Sequence, residues 1–334
     1  MKLFNAYTDI LPKPDNDTML VWIGAISFES RCNGSIEALL NENIHLHRVI
    51  AFDYATNISP RSQGEESRAI NRNQFENLVK DKGEIQIVHP YRYAEFIGKL
   101  ETLSTELENA HSLIHLIVDI TCLTKIHTIA LAYWLINRRE SFPVTLAYSQ
   151  PEHYGNPSRN IWGKGKWLST LLVRLDLDST DPFDSTTLIA ILGHEGDRLR
   201  LAINEVEANR ALVIKVLPLE PMPSRLATVS DIQNAWLFFE IQNGIRQGFT
   251  LKTLNLANLD SLMHLVQDVC RNAKKKTSRI VLCPFGPKPF VFASAFSSLS
   301  IYSENTWLSY PIPTSYDPEY SSGYKQTTWF SPFI

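Results

Sequence analysis

The hydrophobic and polar positions of the chain form two kinds of segment that alternate. Short apolar runs rich in β-branched residues are followed by longer stretches whose apolar residues recur at helical spacing. This alternation predicts β-α-β crossovers and parallel sheets. The predicted strands are residues 19–26, 48–54, 84–89, 116–120, 143–149, 187–193, 211–218, 249–256, 279–283 and 305–310. The predicted helices are residues 32–40, 65–80, 91–108, 126–135, 199–208, 231–243, 259–272 and 290–299.

One strand–helix junction in the first half carries most of the candidate chemistry. The apolar run 116–120 contains Asp119 and gives way to a polar elbow at 121–125, before an apolar run of helical period. Ligands of open α/β sheets bind outside the carboxyl ends of the strands. Backbone N–H groups at a helix start, beside Thr121, Thr124 and Lys125, suit a phosphate. The alternative is a junction whose threonine caps the helix.

The second half of the chain repeats the order of the first. Lys125 and Lys288 occupy the same place in their elbows, and Arg31 and Arg198 follow the first strand of each half. Such self-similarity predicts a tandem duplication, giving two Rossmann-like parallel-sheet domains at residues 1–167 and 168–334. Two like domains can pack about a pseudo-twofold axis and enclose a composite ligand cleft. The alternative is two unrelated α/β domains.

The two predicted domains differ in their chemistry. The first elbow is rich in hydroxyls, whereas the second, CPFGPK, contains prolines that have no N–H to offer a phosphate. We therefore centre the predicted site on the first elbow, where Asp119 orients Lys125 or Thr121. Arg31 binds an anionic group or, alternatively, pairs with its neighbour Glu29. The predicted ligand-binding residues are Arg31, Tyr54, Asp119, Thr121, Thr124, Lys125, Glu195, Arg198 and Lys288.

Other predicted site residues lie away from the first elbow. Tyr54 ends the second predicted strand and is placed to stack on a base, while Arg198 and Lys288 close the cleft from the second domain. The segment GKGKW at 163–167 is predicted to be a flexible interdomain loop. The aromatic stretches 154–167 and 316–330 are predicted to be loops that fold over the cleft, or else dock on the domain surface.

Composition narrows the classes of function. With 44% hydrophobic and 20% charged residues, the chain is typical of a globular protein, and its net charge of −3 argues against an extensive nucleic-acid surface. No apolar run reaches the roughly 20 residues of a membrane span, and the N-terminus is too polar for a signal peptide. The four cysteines form no CxxC pair, which indicates reduced thiols in a cytoplasmic protein.

Several common catalytic motifs are absent. The sequence contains no GxGxxG, no P-loop and no GxSxG, so no standard cofactor is expected. His194, Glu195 and Asp197 lack the spacing of a common metal site, and no metal is expected.

The elbow Asp-Ile-Thr-Cys-Leu-Thr-Lys at 119–125 resembles the Asp-x-Thr-Gly-Gly-Thr-Lys elbow of CRISPR-associated Rossmann-fold (CARF) domains. The resemblance covers Asp119, Thr121, Thr124 and Lys125, and the chain departs from it at Cys122 and Leu123. It implies domains that pair about a twofold axis, bind cyclic oligoadenylates, in some cases cleave them, and serve prokaryotic antiviral defence.

Three functional classes follow from these observations. The first is a sensor that binds a phosphate-bearing nucleotide and signals to a separate effector protein. The second is a phosphodiesterase-like enzyme in which Lys125 and Arg31 stabilise charge at phosphorus, while Glu29, His127 or Glu195 transfers protons. Its catalytic candidates are Lys125, His127 and Glu29. The third is a structural subunit that has lost the ligand.

Overall fold

The computed structural model describes residues 4–8, 18–53, 63–88, 93–109, 113–138, 142–154, 163–174, 182–193, 196–217, 224–316 and 321–332. Its strands are β1 (Phe4–Thr8), β2 (Met19–Ile26), β3 (Arg48–Asp53), β4 (Glu84–Val88), β5 (Ile114–Asp119), β6 (Val144–Tyr154), β7 (Gly163–Arg174), β8 (Ser185–Ile191), β9 (Arg210–Leu217), β10 (Phe249–Asn255), β11 (Ser278–Pro284), β12 (Thr306–Tyr316) and β13 (Ser321–Pro332). Its helices are α1 (Gly34–Asn41), α2 (Gln63–Val79), α3 (Tyr93–Glu108), α4 (Lys125–Ile136), α5 (Gly196–Val206), α6 (Ser224–Gln242), α7 (Leu259–Lys274) and α8 (Lys288–Tyr302).

The chain folds into two compact units. The first unit comprises Met1–Asn156 together with Ser315–Ile334, and the second comprises Pro157–Thr314. This division does not coincide with the predicted boundary between residues 167 and 168, because residues 157–167 fall in the second unit and residues 315–334 in the first.

The first unit is built on a seven-stranded sheet in the order β1-β13-β6-β5-β2-β3-β4. Strands β2 to β6 are parallel, and β13 runs antiparallel between β6 and β1. On one face, Trp22 of β2 packs in a core with Ile36 of α1 and Phe75 of α2. Phe52 of β3 contacts Phe96 of α3, whose ring also meets His127 of α4. Helices therefore cover both faces, as buried parallel strands require.

The second unit contains a six-stranded sheet in the order β10-β9-β8-β11-β12-β7. Its strands β8 to β12 pair in parallel. Helix α8 is apolar along most of its length and is buried on nearly all sides. The prediction of two Rossmann-like, mainly parallel sheets is confirmed.

The two sheets share one strand order. Strands β4, β3, β2, β5 and β6 follow one another in the first sheet as β10, β9, β8, β11 and β12 do in the second. The strand beside the last parallel strand differs in origin: β6 has β13 as its neighbour, and β12 has β7. The strand that follows β6 in sequence, β7, thus belongs to the second sheet, and the strand that follows β12, β13, belongs to the first. The tandem duplication itself stays a prediction.

Two of the predicted loops are strands. The segment 163–167, predicted to be an interdomain loop, begins β7, and most of the aromatic stretch 316–330 lies in β13. Neither segment carries a long apolar run that would have indicated a strand. Their backbone partners come from distant parts of the chain, so local patterning gave no sign of the pairing. Within the part of the chain that the structure describes, no helix is both long and apolar enough to cross a membrane.

Candidate functional site

The candidate site of the first unit lies where the strand order reverses. Strand β2 has β3 on one side and β5 on the other, and both pairings are parallel. In doubly wound sheets this switch point, at the carboxyl ends of the strands, is where ligands bind. The turn after β2 contains Glu29 and Arg31, and the elbow after β5 leads into α4.

Asp119 holds the elbow in shape from the interior. Its side chain is only 2% exposed, and one carboxylate oxygen accepts a hydrogen bond of 2.7 Å from the backbone N–H of Thr121. The other oxygen accepts from the hydroxyl of Ser35, which in turn accepts from the indole N–H of Trp22 at 2.9 Å. Asp119 therefore contacts Thr121, one of the two partners predicted for it.

Thr121 joins the elbow to the neighbouring strand. Its buried hydroxyl accepts a hydrogen bond of 2.8 Å from the backbone N–H of Ser149 in β6. The hydroxyl of Ser149 lies 2.8 Å from that of Thr327 in β13. The Thr121 side chain thus fixes β6 and, through Ser149, β13 at this edge of the sheet.

The accessible part of the elbow is the start of α4. Thr124 is the N-cap, with extended backbone (φ −64°, ψ 157°), and its hydroxyl accepts from the backbone N–H of His127 at 3.3 Å. The capping role considered as an alternative is therefore present. Thr124 is exposed, and Lys125, the first residue of the helix, is half-buried.

His127 is a neutral imidazole at this site. Its ring lies 4.6 Å from that of Phe96, and Nδ1 is 2.6 Å from the Thr124 hydroxyl. Burial lowers the pKa of His127 from 6.5 to about 4. The side chain is therefore uncharged near pH 7, where it can accept a hydrogen bond but is a weaker base than an ordinary histidine and holds no extra proton to donate as a general acid.

Arg31 is directed into the protein. Its Nε donates to a Glu29 carboxylate oxygen at 2.8 Å, and Nη1 donates to the Ser149 carbonyl at 3.1 Å. The same Glu29 oxygen accepts from the hydroxyl of Ser321 in β13. The side chains of Arg31 and Glu29 are 6% and 10% exposed. The pairing that the sequence left as an alternative is therefore present.

In the second unit, Arg198 and Lys288 occupy comparable places. Arg198 is buried, with its guanidinium 5.6 Å from the ring centre of Tyr310, as that of Arg31 lies 5.9 Å from Tyr148. Lys288 is the first residue of α8 and is half-buried.

Backbone packing fills the switch point of the second unit. The N–H of Phe285 donates to the Ile191 carbonyl at 3.1 Å, which carries the second elbow onto the end of β8. A Cβ added to Gly286 would lie 2.8 Å from the Leu192 carbonyl oxygen, and one added to Gly193 would overlap the Phe285 carbonyl. The second elbow therefore packs tightly against the end of β8.

Two predicted site residues, Tyr54 and Glu195, lie outside the described residues, as does His194. All four cysteines are free and buried, and burial raises the pKa of Cys32 and of Cys270 to about 12. Among the residues with described side chains, no group of three or more His, Cys, Asp and Glu is arranged to hold a metal ion.

The sequence reasoning missed a charged cluster at the end of β3. Asp53 is 2% exposed, and its two oxygens accept from Arg68 at 2.9 Å and from Arg72 at 3.0 Å. An acid that ends the second strand, followed by arginines spaced i,i+4 on the next helix, was the available signal. Ser35, Ser149 and Thr327 were also missed, because nothing local marks a buried hydroxyl.

No protein-family model and no curated protein matches the chain. Among solved structures, it is similar to a type III CRISPR defence DNA nuclease activated by cyclic oligoadenylate, with a TM-score of 0.49, 10% identity and coverage of 83% of this chain. It spans 64% of the length of that nuclease. It is also similar to Enterococcus italicus Csm6 bound to cyclic hexa-2′-fluoro-hexa-dAMP, with a TM-score of 0.31, 12% identity and coverage of 40% of this chain and 36% of that one. At TM-scores below 0.5, these likenesses identify no equivalent residues.

Proposed function

We propose that the first unit is a sensor that binds a phosphate-bearing, nucleotide-type ligand at the carboxyl edge between β2 and β5. The observation that carries this proposal is the elbow at the switch point. Its buried part, Asp119 and Thr121, is fixed by hydrogen bonds, while Thr124 and Lys125 lie at the accessible N-terminus of α4. A helix N-terminus with a lysine in its first turn favours an anionic group.

The residues of the site contribute in different ways. Lys125 supplies the charge, and the first backbone N–H groups of α4 supply donors. Arg31 could reach a ligand only by leaving its buried ion pair with Glu29, and breaking such a pair costs about 3–5 kcal/mol. We therefore assign Arg31 a role in shaping the site. The predicted contacts by Tyr54, Glu195, Arg198 and Lys288 stay predictions.

The proposed output is a signal to a separate effector protein, in prokaryotic defence as the CARF resemblance implies. A second candidate function is hydrolysis or ring opening of the nucleotide. One observation favours it: neutral His127 lies beside Thr124 and two residues from Lys125, where its imidazole could accept a hydrogen bond from an attacking water and orient it. The third class, a structural subunit, requires only the buried network.

The test is native mass spectrometry of the purified protein, with extraction of any bound small molecule, followed by titration with linear and cyclic nucleotides. Lys125→Ala should weaken binding roughly 10- to 100-fold, as expected for loss of a charged hydrogen bond. Lys288→Ala, the equivalent change in the second unit, is the matched control.

The results of these measurements distinguish the sensor, the enzyme and the structural subunit. Loss of binding with Lys125→Ala alone confines the site to the first unit, and loss with both variants supports a composite cleft. Turnover of the bound nucleotide would favour the enzyme. No bound nucleotide and no affinity across the panel would leave only the structural subunit.

A further inference from the structure

The charged cluster at the end of β3 lies on the same edge of the sheet as the elbow. Asp53 is the last residue of β3, and β3 pairs directly with β2. Strands β5, β2 and β3 are consecutive neighbours, so the ends of β5 and β3 are about 10 Å apart, two strand spacings. A nucleotide held at the start of α4 is therefore long enough to reach the end of β3 if it lies along this edge.

Helix α2 presents one face to this edge. Arg68 and Arg72 contact Asp53, and Asn71 donates to the Ser27 carbonyl, just after β2, at 2.9 Å. Residues three and four apart share a helix face, so these three side chains align over the ends of β2 and β3. Both guanidinium groups are thus held at the end of β3, and Asn71 holds the same helix face against the turn after β2.

The side chains of this cluster differ in how accessible they are to a ligand. The Asp53 side chain is 2% exposed, whereas those of Arg68 and Arg72 are 25% and 38% exposed. The Asp53 carboxylate therefore lies behind the two arginines, whose guanidinium groups are the more accessible part of these two ion pairs. Arg72 also pairs with Glu76 on the same helix, but exposed i,i+4 pairs contribute only about 0.3–0.5 kcal/mol. That contact is easily exchanged for a phosphate.

The contacts of Asp53 change the kind of ligand group that the end of β3 is expected to bind. In dinucleotide-binding folds, an acid downstream of the first strand–helix turn binds a ribose hydroxyl, and a nearby arginine instead accommodates a phosphate on that ribose. In this chain both oxygens of the buried Asp53 already accept from guanidinium groups. The outward groups are arginines, which recognise phosphate through paired N–H donors.

We propose that Arg68 and Arg72, held by Asp53, form a second anion subsite of the first unit. The inference rests on the proposed function and narrows its ligand to a nucleotide with two phosphate groups separated by a ribose. One phosphate lies at the start of α4 and the other at the arginine pair.

The experiment compares three probes by isothermal titration calorimetry: adenosine 5′-monophosphate, adenosine 5′-diphosphate and adenosine 3′,5′-bisphosphate. The bisphosphate should bind at least roughly tenfold more tightly than either of the others, since only it places a phosphate on each side of the ribose. Arg72→Gln and the double variant Arg68→Gln/Arg72→Gln should remove this preference and leave the affinity for the monophosphate within about twofold. Arg271→Gln, in a surface ion pair with Asp268, is the control.

Equal affinity for the three probes, or a preference that survives the double variant, would overturn the subsite. A preference lost only in Lys125→Ala would point to the elbow alone. If no nucleotide binds, the proposed function fails, and titration with inorganic pyrophosphate tests the arginine pair separately. A shift of the Arg68 and Arg72 side-chain NMR signals would then support the subsite, and unchanged signals would refute it.

Discussion

The hydroxyl of Ser149 lies 2.8 Å from that of Thr327, although 178 positions of sequence separate them. Two further contacts tie the same strand to the first unit, from Ser321 to Glu29 and from Tyr324 to Glu37. The end of the chain is therefore an integral part of the first unit. It reaches the elbow through Ser149, which contacts Thr121.

Removal of residues 315–334 should destabilise the first unit rather than the second. The truncation deletes β13, exposes the edge of β6 and removes Trp329 and Phe330, each 2% exposed and each contributing about 1.5–3 kcal/mol by burial. Hydrogen exchange measured by mass spectrometry should show loss of protection in β2 and β5 and little change in β8 and β11.

Deletion of residues 333–334 alone is the matched control, because it leaves all of β13 in place. Retained protection of β2 and β5 in the longer truncation would show that β13 is dispensable for the first unit.

Ser35→Ala should be strongly destabilising for so small a change. The hydroxyl is fully buried, donates to Asp119 and accepts from the indole of Trp22 at 2.9 Å. Its removal leaves a buried carboxylate oxygen and a buried N–H without this partner, at a cost of about 2–4 kcal/mol in the free energy of unfolding. Urea denaturation measures the change.

Thr102→Ala is the comparison, because the exposed Thr102 hydroxyl donates to the Gly98 carbonyl of its own helix at 3.0 Å, and this variant should lie within about 0.5 kcal/mol of the wild type. An equally small effect of Ser35→Ala would mean that Asp119 does not depend on it.

His127 should make stability fall as the pH is lowered. Burial lowers its pKa from 6.5 to about 4, so between these values the unfolded chain binds a proton that the folded chain does not. Above about pH 6.5 the imidazole is neutral in both states and does not lower the free energy of unfolding. As the pH falls toward 4, the unfolded chain becomes protonated first, and the free energy of unfolding decreases. After allowance for partial exposure, the loss amounts to about 1–2 kcal/mol.

The measurement compares the free energy of unfolding of the wild type and of His127→Gln across this pH range. Burial also lowers the pKa of His47 and of His115, so only the difference between the two proteins reports on His127. Parallel pH profiles would contradict the expectation.

Gly286→Ala and Gly98→Ala should change stability in opposite directions. A Cβ on Gly286 would press on Ile191 and on the Leu192 carbonyl, which destabilises the second unit by about 1–3 kcal/mol. Gly98 lies inside α3, where an added Cβ would meet no atom of the described structure within 4 Å, so alanine should stabilise the helix by about 0.5–1 kcal/mol. Thermal unfolding measures both changes. An unchanged stability of Gly286→Ala would show that the second switch point can accommodate an added Cβ.

Much of the fold was predictable because its signals are local. Strand β2 covers the predicted residues 19–26, and α4 begins at Lys125, one residue before the predicted start. Alternation of apolar runs and helical periods depends on neighbours a few residues away, and so does the capping of α4 by Thr124. The sequence therefore located the elbow.

Sequence alone thus determined the alternation of helices with the parallel strands of both sheets, and the position of the elbow. Tertiary structure decided that Arg31 is held by Glu29 and Ser149, that two guanidinium groups cover Asp53, and that β13 completes the first sheet. The physical reason is distance along the chain. Each of these arrangements includes a partner that only the packed sheet brings within hydrogen-bonding range, and no local pattern specifies which of several arginines, acids or strands it will meet.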